Sequence, residues 1–312
     1  MGSNIAKGLI KRGLDVSIID KFTSESAQNL DDLGIENECI KGDLKDYDFA
    51  KDALRGIDIV YHFAAEVGNV VYLHGSKESE LDAMQANMII DTNVFKACRE
   101  NGVGSIIYAS SVSVYPYDWQ LGSKHAFKEE DSEYKANPEG GYGWSKYIAE
   151  KQLYMMPDVS VGIARIFHAY GQSMYLQKNR STVLASLICK AINYPDEEFV
   201  VWGDGTQRRC FVYIDDAVDA LFRLEDYIKK RGNLTVNIGT TEEVTIAELA
   251  NLVVKVSGKD IPIRFDDSKP TGVLSRMPDL ERIKNTLDWK PETDLLTGAT
   301  KTYEWINKRL KA

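Results

Sequence analysis

The feature that most constrains the fold is a set of short apolar runs, rich in β-branched residues, recurring along the first half of the chain. Ile57 to Phe63 reads IDIVYHF, Ser105 to Ala109 reads SIIYA, and Val159 to Phe167 reads VSVGIARIF. Continuous apolar strands of this kind fit a parallel sheet covered on both faces. Weaker strands are expected at Val16 to Asp20 and Cys39 to Lys41. Between them lie helical stretches: Asn4 to Arg12, closed by Gly13, and a long one from Asp82 to Glu100 with Met84, Met88, Phe95 and Cys98 near helical spacing. Strands alternating with helices predict an α/β, doubly wound parallel sheet. The second half is mixed, with strands near Phe199 to Trp202 and Leu234 to Ile238 and helices at Ile214 to Arg231, Ile246 to Ser257 and Leu296 to Arg309. It reads as a smaller α/β lobe over the carboxyl ends of the strands, where such sheets bind ligands.

The opening of the chain bears on which ligand that is. A dinucleotide-binding sheet begins with a strand and a glycine-rich turn, and an acidic residue about 20 residues on takes a ribose hydroxyl. Here Met1-Gly2-Ser3-Asn4 runs straight into the first helix, and Asp20 ends the following strand. Gly2 is expected to be the last glycine of such a turn, with the first strand and most of the glycine loop missing and the start set at an internal methionine. A coding region without an upstream in-frame strand and glycine loop would refute that expectation. Alone, Gly2 is as readily a small residue after an initiator methionine.

Tyr142-Gly143-Trp144-Ser145-Lys146 carries Tyr and Lys one helical turn apart, on one face. A nearby ammonium favours phenolate and is expected to lower the tyrosine pKa from about 10. Such a tyrosine can take a proton from a sugar hydroxyl. Alone the pair is an ordinary surface pair. Its specificity comes from the strand upstream, which places Ser110 and Ser111 at its carboxyl end.

These features resemble the extended short-chain dehydrogenase/reductase family in its nucleotide-sugar epimerase branch, which includes UDP-glucose 4-epimerase and GDP-mannose 3,5-epimerase. The resemblance runs through Gly42-Asp43-Leu44, His62-Phe63-Ala64-Ala65, Asn93, Ala109-Ser110-Ser111, Tyr142 with Lys146, Gly205 to Arg209, Tyr213 to Asp216, Val236 to Gly239 and Leu287 to Pro291. It implies a Rossmann-like fold with NAD as cofactor. Residues 1–165 would form the NAD-binding domain, and 166–312 an interleaved nucleotide-sugar-binding lobe. It implies Tyr142 as general base and acid, Ser111 as its partner, and Lys146 tuning Tyr142 and binding the nicotinamide ribose. Gly2, Asp20, Asp43, Leu44, Ala64, Ala65 and Asn93 would contact NAD. Arg209 and Arg276 would hold the diphosphate of a nucleotide-diphosphate sugar, because a guanidinium fork binds phosphate oxygens in pairs. The resemblance also implies a homodimer through the long helix and the helix after Tyr142.

Dehydratases and decarboxylases of this family carry an acid just after the catalytic serine or threonine. Here Val112 and Ser113 stand there, so neither reaction is expected. The stretch Phe63 to Asn69 and the loop Ser113 to Pro116 resemble GDP-mannose 3,5-epimerase. That enzyme's second acid/base pair is a cysteine and a lysine; Ser113 replaces the cysteine, and Gln177 and Lys178 fall near the lysine. Ser113 and His168, which stands where an asparagine is usual, are expected against the sugar. The favoured reading is C4 epimerisation through a transient 4-keto sugar. Others are 3,5-epimerisation, 4-ketoreduction, or a fragment that binds a sugar nucleotide without catalysis.

Composition narrows the partners. A formal net charge of −9 argues against nucleic acid or an anionic membrane, although a local phosphate site needs only local donors. Cys39, Cys98, Cys189 and Cys210 lack metal-ligand spacing and are expected as reduced thiols in a cytoplasmic protein. His62, His74 and His125 are expected to be structural or solvent-exposed.

Overall fold

A computed structural model of the protein describes residues 1–22, 24–35, 39–122, 125–178 and 180–311. Six strands form its nucleotide-fold half: β1 (Ile18–Asp20), β2 (Cys39–Lys41), β3 (Ile59–His62), β4 (Ser105–Ser111), β5 (Ser160–Ile166) and β6 (Leu234–Ile238). β6, β5, β4 and β3 pair in that order, all parallel. β1 and β2 form a separate parallel pair, with Ile18 opposite Cys39. A cavity extends between Ile18–Asp20 and Ile59–His62.

Four helices matter for the site: α1 (Gly2–Lys11), α2 (Lys77–Asn101), α3 (Gly140–Tyr154) and α4 (Ile214–Arg231). The longest has clear end signals. Ser76 caps α2 by accepting from Ser79 N at 3.0 Å, and Gly102, in the left-handed region at φ 72°, ends it. Both faces of the sheet are covered. Val94, Phe95 and Cys98 of α2 and Leu153 of α3 pack with Ile106, Tyr108 and Ile163. Ala217, Leu221 and Leu224 of α4 pack with Ile107, Ala164 and Val236 on the other side.

The smaller lobe has its own core. Leu184 and Ile188, from the helix Val183–Asn193, meet Leu249 and Val253 of the helix Ile246–Ser257 and Ile306 of the helix Leu295–Lys311. Because β6 comes from the second half yet joins the main sheet, the two halves are interleaved. Among the described residues, no helix is long and apolar enough to cross a membrane.

Candidate active site

The cavity, about 1120 Å³, opens along the carboxyl ends of the strands. It runs from Ser111, Tyr142 and Arg209 to Asp20 and Asp43, and part of it is the apolar slot between β1 and β3 lined by Leu9, Val16, Leu54, Ile57 and Val94. Gly2, Asp20, Asp43, Leu44, Ala64, Ala65, Ser111, Ser113, Tyr142, Lys146, His168, Arg209 and Arg276 all line it. Asn93 does not: its Nδ2 donates to Leu44 O at 3.0 Å and Lys45 O at 2.9 Å, so it holds the Asp43–Lys45 loop in place from behind.

At the β1 end the residues suit a dinucleotide. Asp20 Oδ1 accepts from Phe22 N at 2.7 Å and Ser26 Oγ at 2.9 Å, which fixes its carboxylate at the cavity edge. The α1 N-terminus, at Gly2 and Ser3, faces the same space and offers backbone N–H groups and the positive end of a helix.

At the other end β4 delivers Ser111. The chain then turns into a single 3₁₀ turn, Val112–Val114, whose first donor, Ser113 N, bonds back to Ser111 Oγ at 3.2 Å. α3 must cross this turn closely. A Cβ on Gly143 would lie 2.4 Å from Ser113 O, so only glycine fits there. That approach brings Tyr142 onto Ser111, which hydrogen-bonds its hydroxyl.

Lys146 is 2% exposed. Its Nζ donates to Ala109 O at 2.9 Å and sits 4.5 Å from the Tyr108 ring centre. Burial lowers its pKa, opposed by the carboxylates of Asp91 and Glu150. Asp91 is itself buried between His62 Nε2 at 2.8 Å and Tyr108 OH at 2.9 Å. The expected lowering of the Tyr142 pKa by Lys146 does not occur in the ligand-free chain. Burial pushes Tyr142 up to about 12, and the hydrogen bond from Ser111 is the largest opposing influence. Low polarity opposes phenolate more strongly than nearness to a cation helps it.

The two arginines differ. Arg276 donates from Nε to Gln120 Oε1 at 2.8 Å and pairs through Nη2 with the Glu139 carboxylate. Arg209 is 9% exposed and donates to the Arg208 carbonyl at 2.7 Å. Burial, with Arg276 nearby, lowers its pKa to about 9. It is a buried cation suited to an anionic ligand. His168 adopts φ 46°, a left-handed conformation in which asparagine is enriched, and its Nδ1 has no partner. Burial and the two arginines push its pKa far down, so the ring is neutral.

Glu139, Asp91 and Glu150 are the charged residues that sequence reasoning missed. Glu150 stands one turn beyond Lys146 on α3, a spacing visible in the sequence. Nothing local marks the other two. Cys39 is an exposed free thiol, and Cys98 and Cys210 are buried ones. The His74 side chain lies outside the described residues. Among the described residues, no cluster of His, Cys, Asp or Glu is placed to hold a metal ion.

Comparison with known proteins defines the class. The sequence model of the "NAD dependent epimerase/dehydratase family" matches residues 1–239, and the chain belongs to that family. It is 30% identical over 295 residues to the GDP-mannose 3,5-epimerase of Arabidopsis thaliana, covering 94% of this chain and 73% of that one. The UDP-glucose 4-epimerase of Thermotoga maritima, solved with UDP-glucose, superposes with a TM-score of 0.85 at 22% identity, covering 99% of this chain and 96% of that one. MoeE5, solved with UDP-glucose and NAD, does so with a TM-score of 0.81 at 25% identity, also covering 99% and 96%. The protein is thus an NAD-dependent enzyme of the nucleotide-sugar epimerase group, within the extended short-chain dehydrogenase/reductases.

Proposed function

We propose that the protein inverts C4 of a nucleotide-diphosphate sugar, with NAD as a retained cofactor. One observation carries this reading: Ser111, Tyr142 and Lys146 share a cavity with the buried cation of Arg209. Bound NAD supplies a hydride acceptor that is also the donor, so no net oxidation results. Asp20 would hold the adenosine ribose, Gly2 and the α1 N-terminus the cofactor diphosphate, Asp43 and Leu44 the adenine, Ala64 and Ala65 its diphosphate side, and Lys146 the nicotinamide ribose. Tyr142 takes the proton of the C4 hydroxyl and returns it, Ser111 hydrogen-bonds the same oxygen, and Arg209 holds the sugar-nucleotide diphosphate. His168, neutral and lining the cavity, would pack against the sugar. Residues 1–165 serve the cofactor and 166–312 the sugar nucleotide.

The test is incubation with NAD and UDP-, GDP- and dTDP-hexoses, with products followed by NMR. An epimer lost in Tyr142→Phe is the expected result. Stoichiometric consumption of reduced cofactor with a 4-keto sugar would make the protein a reductase instead. No NAD binding by calorimetry and no product would leave a non-catalytic binding protein.

We also propose a homodimer through α2 and α3, where Leu81, Ile89, Trp144 and Tyr154 remain exposed on one chain. Ile89→Arg should halve the mass measured by light scattering; a wild-type monomer at micromolar concentration sinks this proposal.

A further inference from the structure

Asp91 is a buried carboxylate that the proposed chemistry leaves without a role. Three elements build its site. His62 ends β3 and Tyr108 stands opposite it on β4, so the parallel register sets their rings side by side, with centres 5.7 Å apart. α2 packs over this part of the sheet and brings Asp91, 1% exposed, to both of them. Asp91 Oδ1 meets His62 Nε2 at 2.8 Å, and Oδ2 accepts from Tyr108 OH at 2.9 Å. Phe95, one turn further along α2, packs edge-on against the same two rings. The Tyr108 ring in turn carries Lys146 Nζ, 4.5 Å from its centre. A phenol that donates to a carboxylate has a more electron-rich ring and holds a cation more strongly.

Two carboxylates favour the charged form of Lys146, and they are not equivalent. Glu150 is already matched: it accepts from Arg165 Nε at 3.0 Å and Nη2 at 2.6 Å, and from Ser110 Oγ. Asp91 is held by a phenol and an imidazole instead, and its influence on Lys146 is the larger of the two. A buried ammonium without a counter-charge gives up its proton. We infer that Asp91 is a positioning residue for Lys146, the counter-charge that keeps it an ammonium seated on the Tyr108 ring in a dry site. The inference rests on the proposed role of Lys146 beside Tyr142. An ammonium has three donors; one goes to Ala109 O at 2.9 Å, which leaves two for the nicotinamide ribose. The same negative charge disfavours phenolate at Tyr142, but less than the Ser111 hydrogen bond favours it. The groups around Lys146 are thus Asp91 from α2, Tyr108 from β4, and Tyr142 and Glu150 one turn to either side on α3, with His62 from β3 and Arg165 from β5 facing the two carboxylates.

The experiment follows the Lys146 proton directly, by NMR titration of the full chain labelled with ¹³C at lysine Cε, the signal being assigned by its loss in Lys146→Met. Asp91→Asn removes the charge but keeps the shape: its carbonyl can accept from Tyr108, and its amide can donate to a neutral His62 ring. The Lys146 midpoint should fall by about one pH unit or more in Asp91→Asn, the scale for losing a nearby opposite charge, while the other lysines stay in place. Asp91→Ser gives the same reading if Asp91→Asn folds poorly. Turnover supplies the second readout. With the NAD-loaded chain and a nucleotide hexose, the loss of kcat/KM in Asp91→Asn should be larger at pH 9 than at pH 6.5, whereas a merely structural role gives the same loss at both. A Lys146 midpoint that stays put in both variants, or a loss independent of pH, overturns the inference and leaves the C4 reading intact. No product from any nucleotide hexose sinks the C4 reading, while the Lys146 midpoint still decides this one.

Discussion

Replacing Arg209 with methionine should move stability and affinity in opposite directions. The guanidinium is buried, and its pKa falls from 12.5 to about 9 because of that burial and of Arg276. At about 1.4 kcal/mol per pKa unit, this corresponds to roughly 5 kcal/mol of unfavourable burial as an upper bound, since arginine in practice keeps its proton and draws in water. The sign is that of a base with a depressed folded pKa: at pH 7 both states are protonated and the native state carries the full cost. Methionine fills similar space without the charge, so the variant without nucleotide should melt no lower than wild type, and up to about 1.5 °C higher for each kcal/mol recovered. Two charge-assisted hydrogen bonds to a diphosphate are worth about 3 kcal/mol together, so UDP or GDP affinity should fall about 100-fold. Arg276→Met is the contrast. It leaves the Glu139 carboxylate without its guanidinium, which should cost about 2 kcal/mol and lower the melting temperature. Differential scanning fluorimetry with and without nucleotide, and calorimetric titration, read both quantities. An Arg209→Met protein that melts several degrees lower with unchanged nucleotide affinity would refute the assignment of Arg209 as the anion site.

Three further outcomes follow from the same geometry. Burial pushes the Tyr142 hydroxyl up to about 12, so without NAD it should stay protonated between pH 6 and 9; ultraviolet difference titration against Tyr142→Phe that finds phenolate forming there would refute the dry-site reading. Glu150→Ala strips the fully buried Arg165 of bonds at 2.6 and 3.0 Å, which should cost about 4 kcal/mol and lower the melting temperature by about 6 °C. Gly143→Ala puts a methyl into Ser113 O, so turnover should drop at least tenfold with nucleotide affinity little changed; wild-type kinetics would show that the close approach of α3 is dispensable.

Much of this architecture is legible in the chain. Ile214–Arg231, Ile246–Ser257, Cys39–Lys41 and Leu234–Ile238 have the bounds their periodicity and flanking residues predict. The runs IDIVYHF and VSVGIARIF overshoot their strands, because apolar residues continue into the turns that carry the site. The placement of Ser111 at a strand end and of Tyr142 and Lys146 on one helical turn is legible because both are short-range facts. Glu139 is not. Its partners Ser113 and Arg276 lie 26 and 137 residues away, and only the packing of α3 onto the 3₁₀ turn brings the three together. Asn93 is a different case: family position suggests a cofactor contact, and what the structure gives is its Nδ2 on the carbonyls of Leu44 and Lys45, a tie between segments that local sequence does not reveal. The Tyr142 pKa shows a third, since spacing reveals a nearby cation but not how dry the site is.

The fold explains how one cavity gathers these groups with so few elements. β4 ends at Ser111, and a single 3₁₀ turn presents Ser113 to the same space. Glu139 precedes the first turn of α3 and Tyr142 lies within it, so the helix that brings the tyrosine to Ser111 brings the carboxylate to Ser113. Gly143 allows both contacts at once, because any larger residue would lift the helix from the turn. In the proposed reading, Ser111, Tyr142 and Lys146 carry the chemistry at C4. Position 113 carries a serine held by the Glu139 carboxylate. A serine backed by a carboxylate there is a different chemical proposition from a serine facing apolar neighbours, and the sequence alone reads the same for both.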